Sequence, residues 1–461
     1  MRRLRQLAEQ TPPSRERVVD LLRALAITAV VLGHWLVIVI GYAPDGRLTG
    51  HSALQDLPWA RPVTWVVQVL PLFFLVGGYA NAASLTSHRE RGGDAVDWLL
   101  ERAARLLRPT AVLLVVLAAA AFGARLLGAD PVQTRTAVWF ASIPLWFLSP
   151  YLGAVLLTPL MYRLHRRFGF AVPLLLVGLV ALGDLARFRH APDMLAAGNL
   201  LFGWLAIHQL GFAWRDGRLP ARRAVALPLL FGGLTAALLA TVVGPYPVSM
   251  INVPGERVHN MSPPSLALLA LATAQIGLVL LLRDRAERGL RRPRPWQVVV
   301  AVNAVVLTIF LWHISAVLLV VGALWSVDLL PTPPVGSAAW LLWRLPWLLA
   351  LSVALALLVA VFGRVELRGS RRPSRWPRWL PRRIAALLAH RSVRPVLTVV
   401  GVALAVLGLA GNNLAPKTAP ALFGVPTTAL VAFLLGMTIL EMVRAAPSAI
   451  RAEERPPDRA G

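Results

Sequence analysis

Runs of about twenty apolar residues recur along the chain, separated by short polar or proline-marked stretches. At ~1.5 Å of rise per residue, one such run crosses the roughly 30 Å hydrocarbon core of a bilayer as a helix. The pattern predicts twelve spans, over 18–42, 63–85, 109–128, 137–161, 169–186, 196–214, 224–243, 264–282, 297–325, 338–362, 395–411 and 421–442. Pro109, Pro159, Pro263, Pro264 and Pro295 stand near the ends of several of these, and the connections read as free of strands. The expected fold class is all-α, a polytopic helical membrane protein. About ten transmembrane helices form its core and two more follow at the C-terminus.

Composition narrows the partners. The chain has 461 residues, 57% of them hydrophobic, and a formal net charge of +25. Such a charge suits nucleic acid only if it gathers into one surface. Here the basic residues sit in small groups between the apolar runs, which is how topology is written in membrane proteins. With the N-terminus placed inside, the inner segments hold between three and ten basic residues each and the outer ones none to two. Both termini are therefore expected in the cytoplasm, with the lipid bilayer as a partner and nucleic acid excluded. Lys417 is the single lysine, a bias expected of a GC-rich bacterial source and not of chemistry. The absence of cysteine removes disulfides, thiolate metal sites and a cysteine acyl-enzyme, and no metal site is expected.

The domain layout expected from these patterns is a cytoplasmic tail over 1–14 and a membrane domain over 15–363. A basic linker over 364–394, a further helix pair over 395–442 and a tail over 443–461 complete it. No internal repeat is evident, which weighs against the inverted-repeat architecture of many secondary transporters.

Ionisable residues inside spans cost several kcal/mol and so mark candidate sites. The first span carries three: Asp20, Arg23 and His34. Arg23 and His34 are eleven positions apart, about 1,100° of rotation, and so share one face, with His34 roughly 16 Å further along. Asp20, three residues before Arg23, is placed to pair with it. In the ninth span His313 falls at a height similar to His34. His208 in the sixth span and Asn303 in the ninth lie near the inner surface with Asp20 and Arg23. Two layers are expected: an inner one of Asp20, Arg23, His208 and Asn303, and an outer one of His34 and His313. A neutral imidazole is a natural general base for a hydroxyl; a histidine bonded to a neighbouring backbone is the structural alternative.

Other segments admit two readings each. Gly77 and Gly78, with Ala80, Ala82 and Ala83, form a small-residue surface for another helix or for a thin ligand chain. Arg102 and Arg105, one helical turn apart at the inner face, suit phosphate binding or simply set topology. The outer loop 244–263 offers Glu256, His259 and Asn260 to an external acceptor or to solvent. Arg344 is expected to snorkel towards the outer interface.

Together these residues resemble the acyltransferase-3 family of membrane O-acyltransferases. The resemblance rests on Asp20-Leu-Leu-Arg23, Arg23-x10-His34, Phe73-Phe74 before the glycines, Arg102-x-x-Arg105 followed by Pro109, Trp146-Phe-Leu-Ser-Pro-Tyr151 and Leu311-Trp-His313, and it covers about 15–363. It implies transfer of an acetyl or similar group from cytoplasmic acyl-CoA to a hydroxyl of a carbohydrate or lipid-linked acceptor. His34 would be catalytic with Arg23 and His313. Arg102, Arg105, Gly77 and Gly78 would serve the donor, and Asp20, His208 and Asn303 would support the site. Glu256, His259 and Asn260 would face the acceptor. The resemblance implies no permanently bound cofactor, acyl-CoA being a co-substrate, and a location in the plasma membrane. Gly77 stands where the family commonly has serine. The competing reading from another class is a multi-span transporter using the same buried His, Arg and Asp side chains as a proton or substrate path.

Overall fold

The computed structural model describes residues 9–12, 15–42, 46–189, 193–369, 376–377 and 380–451. The 1–14 and 443–461 tails and the 364–394 linker expected above therefore lie partly outside the described residues. Among the described residues eleven helices are long and apolar enough to cross a membrane, and the chain is a polytopic all-α membrane protein. The twelfth expected span is present as a helix of 17 residues, Asn199–Arg215, roughly 25 Å long. It is short for a lipid-facing span, and its middle is walled by protein: Trp204 to Gln209 are all buried.

In chain order, α1 is Arg17–Val37, followed by a two-stranded antiparallel hairpin of β1, Ile38–Tyr42, and β2, Leu48–Ser52. Then come α2, Leu70–Glu90; α3, Ala95–Leu126; α4, Pro131–Ala141; α5, Leu145–Phe168; α6, Ala171–Phe188; and α7, Asn199–Arg215. The chain continues with α8, Arg223–Leu238; α9, Leu266–Leu290; α10, Pro293–Ala304; α11, Val306–Trp325; and α12, Ala338–Gly369. The last elements are α13, Arg382–Ala389; α14, Val393–Leu414; and α15, Thr427–Arg451.

Two expectations are corrected here. The first span does not run to residue 42: after Val37 the β-branched Ile38-Val39-Ile40 leaves the helix and pairs as a strand, with Ile38 opposite Ser52 and Tyr42 opposite Leu48. The 297–325 span is two helices, because Val305 adopts φ −132° and ψ 21° and breaks the ladder between α10 and α11.

By contact the chain forms two compact units, Met1–Ser84 with Leu157–Val359, and Leu85–Leu156 with Ala360–Gly461. In the first, α1 packs against α9, α10 and α11. Its start is tied down by charge. Glu16 holds Arg283 through two bonds of 2.8 and 2.7 Å, Arg17 donates to the Leu290 carbonyl at 2.7 Å, and Glu287 accepts from the Val18 amide. α8 and α9 meet backbone to backbone at Gly233 and Gly277, where any Cβ would collide with the partner helix.

In the second unit, α14 and α15 pack along Gly401, Gly408 and Gly436 in the same way, and both contact α3. Arg135 of α4, fully buried, binds Asn412 Oδ1 at 3.0 Å and the Gly424 and Asn412 carbonyls at 2.9 and 3.1 Å. The C-terminal pair, expected as an appendage, is thus built into one unit with α3 and α4.

Candidate active site

The first unit brings His34 and His313 together. His313 is fully buried on α11. Its Nδ1 lies 2.6 Å from the Phe310 carbonyl one turn back, and its Nε2 lies 3.1 Å from His34 Nδ1, with ring centroids 5.1 Å apart. The protons follow from this hydrogen-bond network. A carbonyl only accepts, so His313 Nδ1 carries its ring's proton and Nε2 is an acceptor. His34 Nδ1 therefore donates to it, and the lone pair of His34 is left on Nε2. The Val30 carbonyl one turn back is a further partner of the His34 ring.

The pair is fastened from one side. Trp35 Nε1 donates to the His313 carbonyl at 2.9 Å, and Trp347 Nε1 donates to the Trp35 carbonyl at 3.0 Å. Arg344, expected to snorkel, has partners within the protein. Its Nη1 turns back to the Ile38 and Trp35 carbonyls at 3.3 and 3.5 Å, and its guanidinium lies 4.1 Å from the Trp340 ring centre. The last carbonyls of any helix lack partners within it, and those where α1 ends accept these two long bonds from Arg344.

At the other end of α1, Asp20 accepts from Arg23 at 3.3 Å, as the i,i+3 spacing predicts. Its closer partner is Arg15, at 2.7 and 3.0 Å, and this bond raises the Arg15 pKa against the opposing effect of burial. Asn303 joins the same group: Nδ2 donates to the Asp20 and Val299 carbonyls, both at 2.9 Å, while its buried Oδ1 has no partner. No bond connects Arg23 to His34. His208 pairs with Asn81 of α2 at 3.1 Å and packs edge-on against Phe212.

Gly78 is a helix-packing residue, not an open groove. A Cβ there would run into the His208 carbonyl, and one at Gly211 would run into the backbone of Leu75 and Tyr79. Of the two readings of this glycine surface, helix approach holds at Gly78, and the donor contact expected of it is withdrawn; Gly77 beside it is buried.

Asn260, expected to face an acceptor, is fully buried and holds the loop together, donating to the Pro247 and Ser249 carbonyls and accepting from Ser265. Glu256 is drawn into an ion pair with Arg61 at 3.1 Å. His259 offers its carbonyl to Arg187 at 2.6 Å, and burial, reinforced by Arg187 against Glu256, lowers its pKa. The hub of this loop is a residue that the sequence reading missed. Asp184 of α6, 1% exposed, accepts from Leu266 N at 2.8 Å, Tyr246 Oη at 2.9 Å, Asn199 at 3.1 Å and Arg187 at 3.1 Å. The signal was available: Asp184-Leu-Ala-Arg187 has the same acid–base spacing within a span as Asp20-Leu-Leu-Arg23.

In the second unit, Arg102 and Arg105 lie on α3. Arg105 is exposed and sits 3.8 Å from Glu101, and Arg102 is half-buried. Arg108, one turn on, is engaged by Glu441 through two bonds of 2.7 Å.

Comparison with known proteins adds one match. The family model described as an acyltransferase domain covers residues 17–365, three-quarters of the chain and nearly the stretch over which the motifs were read. No curated protein and no solved structure matches the chain. An Arg-x10-His helix whose histidine meets a second one from α11, within a matched acyltransferase domain, places this chain in the acyltransferase-3 family of membrane proteins.

Proposed function

We propose that the chain moves an acyl group from acyl-CoA on the cytoplasmic side to a hydroxyl of a carbohydrate or lipid-linked acceptor on the outer side of the plasma membrane. Both termini are then cytoplasmic and the β1–β2 hairpin faces out, in keeping with the basic residues clustered at the opposite ends of the helices. The observation that carries the reading is the chain from the Phe310 carbonyl through His313 to His34 Nδ1, which leaves the lone pair of His34 on Nε2.

In this mechanism His34 Nε2 takes the proton of the acceptor hydroxyl as its oxygen attacks the thioester carbonyl. The new O–C bond forms, the C–S bond breaks, and the imidazolium returns its proton to the departing thiolate. His313 is a positioning residue: it fixes the His34 tautomer through a chain that ends on the Phe310 carbonyl, as the aspartate does in a serine-protease triad. It also accepts the stronger hydrogen bond of the imidazolium. Arg23, roughly 16 Å from His34 along the same face and paired only loosely with Asp20, has donor capacity left for the incoming acyl-CoA and lies too far away to serve the oxyanion. On the donor side Arg102 and Arg105 supply two charges for phosphate.

The test is transfer in proteoliposomes holding the full chain, with acetyl-CoA on one side and a hydroxylated glycan on the other. Appearance of the glycan ester, lost in His34→Ala, supports the reading. Movement of the intact glycan or of protons without ester formation would favour a transporter instead.

A further inference from the structure

On the side of the hairpin lies a small pocket of about 20 Å³ that opens to solvent. It is lined by Ile38 and Ile40 of β1, by the 330–333 segment, and by Trp340, Trp343, Arg344 and Trp347 of α12. Two buried donors at this cavity are unanswered. Trp340, 7% exposed, has no acceptor for its indole N–H, and Arg344 has none for its Nε–H. Buried N–H groups are almost always paired, so each marks a place where a further acceptor belongs.

The charge is unanswered as well. Among the described residues no carboxylate lies within ion-pair distance of Arg344, and its two bonds to carbonyls, 3.3 and 3.5 Å, are long for a charged donor. At the inner end of this unit the partly buried cations Arg23 and Arg283 each have an acid. The site is also coupled to the chemistry. Arg344 and Trp347 both bind the Trp35 carbonyl, and Trp35 in turn binds the His313 carbonyl.

We propose that this pocket takes the charged group of the acceptor, and that the acceptor is a sugar bearing an oxyanion, a carboxylate or a phosphate, its ring lying across the open mouth. The half-buried Trp343 ring supplies an apolar face for the C–H side of the sugar, Arg344 takes the oxyanion, and the Trp340 N–H takes a ring or hydroxyl oxygen. Aromatic walls with a few convergent polar groups are what fix the orientation of a small polar ligand. A neutral sugar would leave Arg344 desolvated and unpaired, so the site discriminates by charge. This inference rests on the acyl-transfer reading only in calling the ligand an acceptor.

The experiment is titration of the full chain in lipid nanodiscs by saturation-transfer NMR. The probes are methyl β-glucuronide, glucose 1-phosphate and the neutral methyl β-glucoside. At least one charged probe should bind roughly tenfold more tightly than the neutral one, the size of one charge-assisted hydrogen bond. Arg344→Gln should erase that preference, Arg344→Lys should keep part of it, and Trp343→Ala should weaken all three probes.

Equal binding of charged and neutral probes to the unmodified chain overturns the proposal without any variant. So does binding indifferent to both Arg344 and Trp343. If the preference depends on Arg344 while no ester forms on any probe, the cavity is a saccharide site and the acyl-transfer reading is what fails. If the glycan ester forms but charge makes no difference, the acyl-transfer reading stands and this one falls.

Discussion

A single proton position decides what the histidine pair can do. Phe310 acting through His313, with the Val30 carbonyl also bonded to the His34 ring, limits which His34 nitrogen carries the hydrogen; without them part of the neutral population would present the wrong edge to an acceptor. His34→Ala should lower transfer by about 10²–10⁴-fold, the usual worth of a general base. Insertion should be unaffected, since removing a polar group from a span does not raise the cost of inserting it. His313→Gln should cost less than His313→Ala, because the glutamine carbonyl can still accept from His34 Nδ1. Steady-state rates on membrane-inserted protein check this, and equal losses in the two His313 variants would show that the tautomer is set elsewhere. Two arginines predict a different signature. Arg102→Ala with Arg105→Ala should raise KM for acyl-CoA and leave kcat nearly unchanged, because phosphate contacts hold ground and transition states alike. Unchanged donor saturation would leave them as topology signals.

At the scale of elements, the site is positioned by ends and breaks of helices. α1 stops where its β-branched residues turn into β1, and the carbonyls freed there capture Arg344 and Trp347. α10 and α11 part at Val305, two residues after Asn303, whose side chain binds back to α1. The 244–265 loop is held by Asp184, and Asp184→Ala would orphan four donors at once. Loss of a buried charge with several partners typically costs about 3–5 kcal/mol. Hydrogen exchange over residues 246–266 should accelerate accordingly, with α14 and α15 unchanged. The same loop should loosen in acid. His259 has a lowered pKa in the folded loop, so below the ordinary imidazole value near 6.5 the open state binds more protons than the closed one. Its contribution is complete at neutral pH and is lost as the pH falls towards the folded value. His259→Gln should remove that dependence, read as exchange protection between pH 7 and pH 5 after correction for intrinsic rates.

For the whole molecule, topology is the testable statement. Reporter fusions after residues 95, 290 and 380 should report cytoplasm, and fusions after 50, 255 and 332 the exterior. Residues 255 and 290 flank α9; if they reported the same side, the span count and the orientation of the cavity would both fall. The two-unit organisation also bears on truncation. Because Arg135 binds Asn412 and Gly424 from inside the second unit, removing everything after residue 392 would strip a buried guanidinium of its acceptors. That truncation should reduce the yield of folded protein and not merely trim an appendage.

What the sequence determined alone was the part that one-dimensional physics controls. Twenty-residue apolar runs must become helices in hydrocarbon, because every backbone group has to be satisfied within its own segment. The basic clusters between them give the expected sides, which the fusions test. The 3.6-residue period put Asp20 beside Arg23 and lined Arg23 up with His34, and the same arithmetic placed His313 at the matching height. What only the tertiary structure decided was who meets whom across helices. Nothing in the spacing of Gly78 says that its open side is filled by the His208 backbone, nor that Asn260 turns inward while Glu256 finds Arg61. Arg344 shows the difference most clearly. A lone arginine near a helix end reads as a snorkelling anchor, and only the fold brings the carbonyls at the end of α1, some three hundred residues earlier, within reach to accept from it beside the cavity.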